Sequence, residues 1–275
     1  MPELPEVEVT RMGLAPHVVG HTIQDAVFRV PRLRSPTTGL AEHLRGCRVE
    51  SLSRRGKYLI WRCERKGEKP GYLVTHLGMS GYWRFLPLPA PEAGPHDHVD
   101  LVFDDFLVRL NDVRRFGDMR WFVSDPFAAA PLSTLGMEPF DESLTPEVFA
   151  ARLRRHRSPV KEVLMAGRVV VGCGNIYASE ALFAAGIHPA RRADRISNER
   201  CAALLKAIRR VLASAIEAGG STLRDFHGVD GVDGYFALSA AVYGREGKSC
   251  VRCGAPIRRI VQAGRSTYYC PHCQK

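Results

Sequence analysis

The sequence has no apolar run long enough to span a bilayer, and its first residues lack the basic and then apolar profile of a secretory signal peptide. It also has no internal repeat and no low-complexity segment. These absences argue against a membrane-spanning, exported or repeat protein. We expect a cytoplasmic monomer with no membrane partner.

Acidic residues are also scarce, since 29 Asp and Glu face 39 Lys and Arg, which gives a net charge of +10. The excess is uneven: after residue 240, seven cations accompany a single acid, Glu246. Such a basic patch predicts a polyanionic partner, because each neutralised phosphate releases condensed counterions. The alternative is a charge surplus that serves only solubility.

The length of 275 residues, with 45% apolar and 25% charged residues, predicts two ordinary globular domains, each with its own core. In the first half, a helix over 5–18 precedes stretches with the alternation of β-strands. These predicted strands are 23–30, 57–63, 72–76, 99–103, 106–110 and 119–123. Asp104-Asp105 predicts a hairpin turn and the proline-rich segment 87–95 a loop, so this half is predicted to be an antiparallel sheet domain.

The pattern changes to helices near residues 131–145. Thr145-Pro146-Glu147 is a helix start that leads into 148–156, and Ser158-Pro159 begins another helix. Further helices are predicted over 175–185 and 197–218, each closed by glycine, and the second has an apolar face.

The four cysteines near the C-terminus form two C-x-x-C pairs, Cys250/Cys253 and Cys270/Cys273, separated by 16 residues. This spacing lets two turns present four thiolates to one Zn²⁺. The alternative, two redox or disulfide pairs, does not suit a cytosolic chain. A segment of this size cannot build its own core, so zinc would supply its folding energy. The other four cysteines are predicted to be buried: Cys47, Cys63, Cys173 and Cys201.

Three further segments carry polar chemistry. Asn175 follows Gly172-Cys173-Gly174 and is predicted to cap a helix. This helix start would either bind an anion, with Arg157 and other cations nearby in the sequence, or have no role beyond the cap. Arg54-Arg55-Gly56-Lys57 suits a solvated strand edge. His96 and His98, at i and i+2 of a strand, suit a hydrogen-bonding or phosphate role better than a metal site.

The first residues, Met1-Pro2-Glu3, are unusual because Pro5 and Glu6 already suit the start of the helix. Removal of Met1 would leave Pro2 as a secondary amine. An α-amino group has a pKa near ~7.7–8.0, so a sizeable fraction is neutral and nucleophilic at physiological pH. Attack on a sugar C1′ would give an iminium, Glu3 would protonate the ring oxygen, and Glu6 would help to position the reacting groups. The alternative is ordinary helix-start chemistry.

Six separated motifs stand out along the chain. They are Pro2-Glu3-Leu4-Pro5-Glu6, Arg55-Gly56-Lys57-Tyr58, His76-Leu77-Gly78-Met79, Asp112-Val113-Arg114-Arg115-Phe116-Gly117, Gly174-Asn175-Ile176-Tyr177, and the four cysteines with Gly264-Arg265. Together these motifs resemble the bacterial formamidopyrimidine-DNA glycosylase family over essentially the whole chain. Leu4 is similar to that family, whereas the related endonuclease VIII usually carries glycine there.

The resemblance implies an α+β fold with three regions. Residues 1–130 would form an antiparallel β-sandwich with an N-terminal helix, and 131–240 a helical domain of helix-two-turn-helix type. Residues 241–275 would form a zinc-finger β-hairpin. Residues 221–235, which include several glycines and aspartates, would be the loop that closes over an everted base. The implied activity is removal of oxidised purines such as 8-oxoguanine and formamidopyrimidines from duplex DNA, followed by β,δ-elimination at the abasic site in a bacterial, nucleoid-associated setting.

The resemblance also implies individual roles. Pro2 matches the Schiff-base nucleophile, Glu3 the acid that opens the sugar, Lys57 an acid/base and phosphate contact in elimination, and Arg265 a phosphate ligand that assists δ-elimination. DNA-backbone contacts are implied for His76, His96, Arg114 and Asn175. Met79, Arg114 and Phe116 match the trio that enters the duplex, and a flexible Met, a flat Phe and a forked Arg suit the hole left by an everted base.

Two positions depart from the commoner family pattern. Arg157 stands where many relatives have Lys, and Ser80 stands where some have Glu. Two other functions stay open: a glycosylase for oxidised pyrimidines on the same scaffold, and a non-catalytic zinc-bearing nucleic-acid binder.

Overall fold

The computed structural model describes residues 1–220 and 240–275. They divide into two compact units. The first contains Met1–Ser133 and residues 218–220, and the second contains Thr134–Glu217 and residues 240–275. The predicted loop at 221–235 lies outside the described residues.

The first unit is a pair of four-stranded antiparallel sheets with two helices, α1 (Leu4–Val18) and α2 (Leu40–Leu44). One sheet has the spatial order β1 (Asp25–Phe28), β6 (Asp97–Val102), β7 (Phe106–Asn111) and β5 (Tyr82–Pro87). The other has the order β2 (Arg48–Arg55), β3 (Tyr58–Glu64), β4 (Gly71–His76) and β8 (Asp118–Phe122).

A shared apolar core joins these sheets and α1. Trp61 of β3 and Trp83 of β5 are fully buried, with ring centroids 5.8 Å apart. Leu14 of α1 is buried in the same cluster. Each indole removes ~150–250 Å² from water, so these rings supply much of the stabilisation that holds the unit together.

Several local predictions for this unit are confirmed. The Asp104-Asp105 turn lies between β6 and β7, and the segment after Pro87 connects β5 to β6. Sequence analysis missed β2 and β5. A bulge between Val49 and Ser51 interrupts the period of two in β2, and the residues of β5 do not alternate between apolar and polar types.

The second unit is helical. The helices are α3 (Pro146–Leu153), α4 (Val160–Ala166), α5 (Asn175–Ala184) and α6 (Asn198–Glu217), and short 3₁₀ helices lie at Pro126–Ala128, Leu132–Thr134 and Ala193–Arg195. The predicted cap of α3 is confirmed, since Thr145 Oγ1 accepts the N–H of Val148 at 3.3 Å. Between α4 and α5 the chain turns at Gly167 and Gly172, which have φ of +68° and +93°, and this is the predicted helix-two-turn-helix arrangement.

A β-hairpin follows near the C-terminus, formed by β9 (Arg258–Gln262) and β10 (Arg265–Tyr269). Its two-residue turn, Ala263-Gly264, has φ of +45° and +72°. Two positive φ values match the right-handed twist of a tight hairpin. The predicted α+β class with its β-sandwich, helical region and cysteine-bearing hairpin is therefore confirmed. No helix in residues 1–220 or 240–275 is both long and apolar enough to cross a membrane.

Candidate active site

The first turn of α1 is held by two buried acids. Glu3 is the N-cap, and Glu6 completes a capping box by accepting the Glu3 N–H at 2.7 Å. Both side chains are in residues only 1% exposed. Pro2, directly before them, is also buried. The capping box therefore fixes the backbone from which Pro2 and Glu3 project.

Gly220 lies beside Glu6. It has φ of +85°, and a Cβ added there would lie 3.4 Å from Glu6 Cγ and Oε1, which is ordinary van der Waals contact. The positive φ, and not a lack of space, is the reason that this position favours glycine.

One edge of the second sheet collects several predicted site residues. Tyr58, the first residue of β3, pairs with His76, the last residue of β4, and His76 pairs with Asp118, the first residue of β8. Because neighbouring antiparallel strands begin and end at a common edge, Lys57 and the segments that carry Met79, Arg114 and Phe116 are brought together there. These residues are far apart along the chain, so only the strand pairing assembles this edge.

An ion pair ties the β2–β3 turn to α1. Arg54 Nε lies 2.8 Å from Glu8 Oε2, and Arg54 also donates to the Gly56 carbonyl at 3.0 Å. Burial raises the pKa of Glu8, but hydrogen bonds from Arg11 and Arg54 outweigh it and leave that pKa below its ordinary value. Arg54, expected to be a solvated cation, thus anchors the turn that presents Lys57.

His76 is held neutral by its surroundings. Burial, followed by the positive charge of Lys57, lowers its pKa to about 4, although Asp118 opposes the shift. Nδ1 accepts the Gly78 N–H at 2.9 Å. An accepting Nδ1 places the proton on Nε2. His76 can therefore donate one neutral hydrogen bond outward at physiological pH.

We expect the His76 ring to titrate near pH 4 and to carry the Nε2–H tautomer at pH 7, as measured by ¹⁵N NMR with His76→Gln to assign its signals. Its folded pKa lies below the ordinary 6.5, so the unfolded state takes up a proton first as the pH falls. The wild type should therefore lose stability relative to His76→Gln from pH ~6.5 down to ~4, with no further change below. Titration of His76 near pH 6.5 would contradict this.

The two segments beyond this edge expose the side chains predicted to enter DNA. Phe116 is 46% exposed, and the Arg114 guanidinium carbon lies 4.9 Å from the centre of its ring. Met79 is half-buried. The attraction between a guanidinium and the face of an aromatic ring stabilises this exposed pair.

The two histidines at i and i+2 have different environments. His96 is exposed and precedes β6, whereas His98 is buried and its Nε2 lies 3.0 Å from the Asp112 carbonyl oxygen. A register shift between Asp97 and Val99 removes them from a common face. This arrangement supports the hydrogen-bonding interpretation and not a shared metal.

In the second unit, the prediction that Asn175 caps α5 is wrong, because the N-cap is Gly174 and Asn175 is the first helical residue. The Asn175 side chain instead accepts from Lys161 Nζ at 2.6 Å and donates to the Ser266 carbonyl at 3.0 Å and to the Tyr243 hydroxyl at 3.3 Å. Asn175 thus joins the start of α5 to β10 of the hairpin. The buried ammonium of Lys161 binds the amide oxygen of Asn175, so the amide nitrogen faces the hairpin.

The predicted cations near α4 divide into two kinds. Arg157 is exposed, on the segment between α3 and α4. Lys161 is only 1% exposed and also donates to Thr267 Oγ1 at 2.7 Å. A buried ammonium with oxygen acceptors is a structural link, whereas an exposed guanidinium is available to a phosphate.

The four C-terminal cysteines converge as predicted. Their Sγ atoms all lie within 4.8 Å of one another, with Cys253 and Cys270 at 3.5 Å and Cys250 and Cys273 at 3.9 Å. A tetrahedron with Zn–S bonds of ~2.3 Å has edges of ~3.8 Å, so this donor set fits one zinc ion. The predicted single structural zinc site is confirmed, and the other four cysteines are buried as expected.

The hairpin above the cysteines presents its arginines to solvent. Arg265 is exposed directly after the tight turn, and Arg258 is exposed on the paired strand. Arg259 is paired with Glu246 at 2.7 Å. The hairpin tip therefore carries an exposed guanidinium, and a metal held by the four cysteines would fix the hairpin that presents it.

Sequence analysis gave no role to three residues that organise these sites. Lys161 was only one of several cations near Asn175 in the sequence, Asp112 was only part of a motif, and Glu180 was not mentioned. Glu180 accepts the backbone N–H groups of Ala241, Val242 and Tyr243 at 2.8 to 3.0 Å, which holds the segment leading to the hairpin. An acid within an apolar helix, as in the sequence around Glu180, was the available signal.

Comparison with known families agrees with this architecture. The chain matches the models of the formamidopyrimidine-DNA glycosylase N-terminal domain over residues 1–119, the formamidopyrimidine-DNA glycosylase H2TH domain over 135–227, and the zinc finger found in FPG and IleRS over 247–275. The fold and the site thus define a DNA glycosylase with a helix-two-turn-helix segment and a zinc finger.

Individual relatives are similar over their whole length. Formamidopyrimidine-DNA glycosylases of Burkholderia cenocepacia and Cupriavidus pinatubonensis are 49% and 50% identical, with 100% of each chain covered. A point mutant of the Lactococcus lactis FPG, solved in complex with a Fapy-dG containing DNA, has a TM-score of 0.91 at 35% identity and full coverage of both chains. The MutM (FPG) protein of Thermus thermophilus has a TM-score of 0.87 at 42% identity, with 99% and 98% covered. This chain belongs to the formamidopyrimidine-DNA glycosylase family.

Proposed function

We propose that this protein is a bifunctional DNA glycosylase and abasic-site lyase that removes oxidised purines from duplex DNA. The observation that carries the proposal is the convergence of Lys57, His76 and the projecting Arg114 and Phe116 at one sheet edge. A cationic edge with a flat projection suits a bent duplex with one nucleotide turned out. The Lactococcus lactis protein was solved with Fapy-dG DNA and with abasic-site DNA, which supports the same substrates here.

In the proposed chemistry, Pro2 is the nucleophile once Met1 has been removed. Its secondary amine attacks C1′ while the bond from C1′ to the damaged base breaks, and the base leaves with that electron pair and takes up the proton that the amine loses. Glu3 then gives a proton to the ring oxygen as the C1′–O4′ bond breaks and the sugar opens. The resulting iminium makes the C2′ hydrogen acidic. Loss of that proton expels the 3′ phosphate, and a second elimination expels the 5′ phosphate, with Lys57 and Arg265 assisting these steps.

The capping box supports the proposed part of Glu6. Its carboxylate accepts the Glu3 N–H, so it acts as a positioning residue for Pro2 and Glu3.

The DNA backbone would be bound by residues of both units. In the first unit we assign this role to His76, His96 and Arg114, and in the second to Asn175, Arg157 and Arg265. The Asn175 side chain already has protein partners on both of its polar atoms, so its own contribution lies mainly in positioning the start of α5 beside β10. Backbone N–H groups at a helix start are suited to phosphate.

We further propose that Met79, Arg114 and Phe116 fill the space left by the everted nucleotide. Arg114 would hydrogen-bond the orphaned partner base with its forked donors, while Phe116 wedges between base pairs. In this assignment residues 1–130 carry the chemistry, 131–240 bind DNA and close over the lesion, and 241–275 form the zinc finger. The protein would act on the nucleoid in the cytoplasm.

The test uses three duplexes that contain 8-oxoguanine opposite cytosine, formamidopyrimidine-guanine opposite cytosine, or thymine glycol opposite adenine. Single-turnover excision of the two purine lesions should be at least about tenfold faster, a difference of about 1.4 kcal/mol in transition-state binding. The cut strands should carry phosphate at both ends, as β,δ-elimination requires. Faster excision of thymine glycol would favour the pyrimidine-directed alternative, for which the Lactococcus lactis complex with oxidised-pyrimidine DNA is a precedent. Absence of cutting would leave a DNA-binding protein only.

A further inference from the structure

We propose that Asp112 and Ser80 are positioning residues that lock two loops into one rigid wedge, so that Met79, Arg114 and Phe116 enter the duplex as a unit. The first loop follows β4 and carries Met79, and the second follows β7 and carries Arg114 and Phe116. This inference rests on the proposed function, because it concerns the residues assigned there to the space left by the damaged base.

The Asp112 carboxylate bridges the loops. Asp112 is fully buried. Its Oδ1 accepts from the Ser80 hydroxyl of the first loop at 2.7 Å, and its Oδ2 accepts the Gly117 N–H of its own loop at 2.7 Å. Hydrogen bonds to a buried carboxylate are short and strong, so Oδ1 holds the first loop and Oδ2 holds the second.

Ser80 makes the connection reciprocal. Its hydroxyl donates to Asp112 and accepts the Arg114 N–H at 3.1 Å, which also lies 3.3 Å from Asp112 Oδ1. Ser80 is 3% exposed, so water does not replace these bonds. The hydroxyl of the residue next to Met79 therefore holds the backbone of Arg114 directly.

The backbones of the two loops are also in contact. Gly78 has φ of +67°, and a Cβ added there would lie 2.3 Å from the Phe116 carbonyl carbon and 2.5 Å from the Gly117 nitrogen. Arg115, between Arg114 and Phe116, has φ of +53°, which is costly for a residue other than glycine. The carboxylate and hydroxyl bonds therefore hold a close and locally strained arrangement.

The wedge is joined to the sheet through the Asp112 main chain. Its N–H donates to the His96 carbonyl at 2.9 Å, and its carbonyl oxygen lies 3.0 Å from His98 Nε2. The same residue thus connects the wedge to the segment that begins β6, where His96 is assigned to a DNA phosphate. A single buried residue thus links three of the segments assigned to DNA: the loop after β4, the loop after β7 and the segment before β6.

Rigidity matters because everting a nucleotide costs a few kcal/mol that only a well-placed wedge recovers. Loops that had to be ordered during insertion would lose conformational entropy at that step. Locking them in the free protein removes this cost. The effect is specific to a duplex, since a single-stranded abasic site has no stack to enter and no partner base to contact.

The experiment compares two substrates for each variant. Asp112→Asn and Ser80→Ala should excise 8-oxoguanine from duplex DNA about 10- to 100-fold more slowly, the size expected for a lost charge-assisted hydrogen bond. Borohydride trapping on a single-stranded abasic oligonucleotide should stay within about twofold of the wild type, because Pro2 and Glu3 are untouched. Fluorescence of 2-aminopurine opposite the lesion should rise less in both variants, which reports incomplete wedge insertion.

Asp100→Asn is the matched control, since it removes a buried carboxylate from the same sandwich, paired with Arg109 at 2.7 Å, without contacting either loop. If Ser80→Ala lost activity equally on the duplex and the single strand, Asp112 and Ser80 would only stabilise the fold and the inference would be wrong. Excision from duplex DNA at the wild-type rate in both variants would also overturn it. Failure of the wild type to trap the single-stranded substrate would instead contradict the proposed lyase chemistry.

Discussion

A chain with one extra glycine between Met1 and Pro2 should form no borohydride-stable adduct with lesion DNA. It should excise 8-oxoguanine at least about a thousandfold more slowly than the parent, because the Pro2 nitrogen becomes a tertiary amide whose lone pair is delocalised. Removal of a covalent nucleophile slows an enzyme by a factor of this size or larger. The amine of the inserted glycine lies one residue before the Pro2 nitrogen, and the capping box of Glu3 and Glu6 does not hold it in place.

The measurement is adduct formation on a denaturing gel, followed by peptide mass spectrometry to locate the linked residue. DNA affinity, measured in parallel by fluorescence anisotropy, should change by less than about threefold, because the assigned phosphate contacts are elsewhere. A glycine inserted after Glu92, in the exposed loop between β5 and β6, is the control for insertion itself. An adduct that persists in the extended chain, or one that maps to a lysine, would contradict the role of Pro2.

Removal of zinc should weaken binding to lesion DNA by about 100-fold or more, while the β-sandwich stays folded. The hairpin has only a small apolar cluster of its own, including Val242, Ile257 and Phe183 of α5, so it depends on the metal for its structure. Loss of the hairpin removes Arg265 and also the Ser266 and Thr267 acceptors that hold Asn175 and Lys161. Loss of two charge-assisted contacts with DNA, each worth about 1.5 kcal/mol, would weaken binding by about 100-fold.

Tryptophan fluorescence separates the two effects, because all three tryptophans, Trp61, Trp83 and Trp121, lie in the first unit. The Tm that they report should shift little in Cys273→Ala or after chelation. The slope of log affinity against log salt should fall by about one for the phosphate contact of Arg265. Cys201→Ala is the matched control, since it removes a buried cysteine from α6 far in sequence from the metal pairs. Unchanged affinity in Cys273→Ala would contradict the proposal, as would unfolding of the sandwich together with the finger.

Several elements of the fold were predictable because their causes are local. The cap at Thr145, the turn at Asp104-Asp105 and the helix over Leu4–Val18 each follow from a few adjacent residues, and the structure confirms them. Strand β2 was missed because a bulge changes its periodicity. Asn175 was assigned the wrong local role because Lys161, fourteen residues earlier, competes for its amide oxygen.

The candidate site shows the same division. The metal ligands were predictable, since two C-x-x-C pairs already constrain four thiolates, and the chemistry proposed for Pro2 rests on its place in the covalent chain. The neutral state of His76 was not predictable, because burial and the charge of Lys57 act only after β3 and β4 have paired. The bridge between Asp112 and Ser80 likewise needs residues 32 positions apart to meet.

By itself, then, the sequence determined the chemical groups available to this protein: the proline and glutamate at positions 2 and 3, four cysteine thiols and a cationic tail. The tertiary structure alone decided which side chains are neutral, which are buried and which are hydrogen-bonded to one another. Protonation and orientation depend on dielectric environment and on neighbours that are distant along the chain, and strand pairing and packing set both.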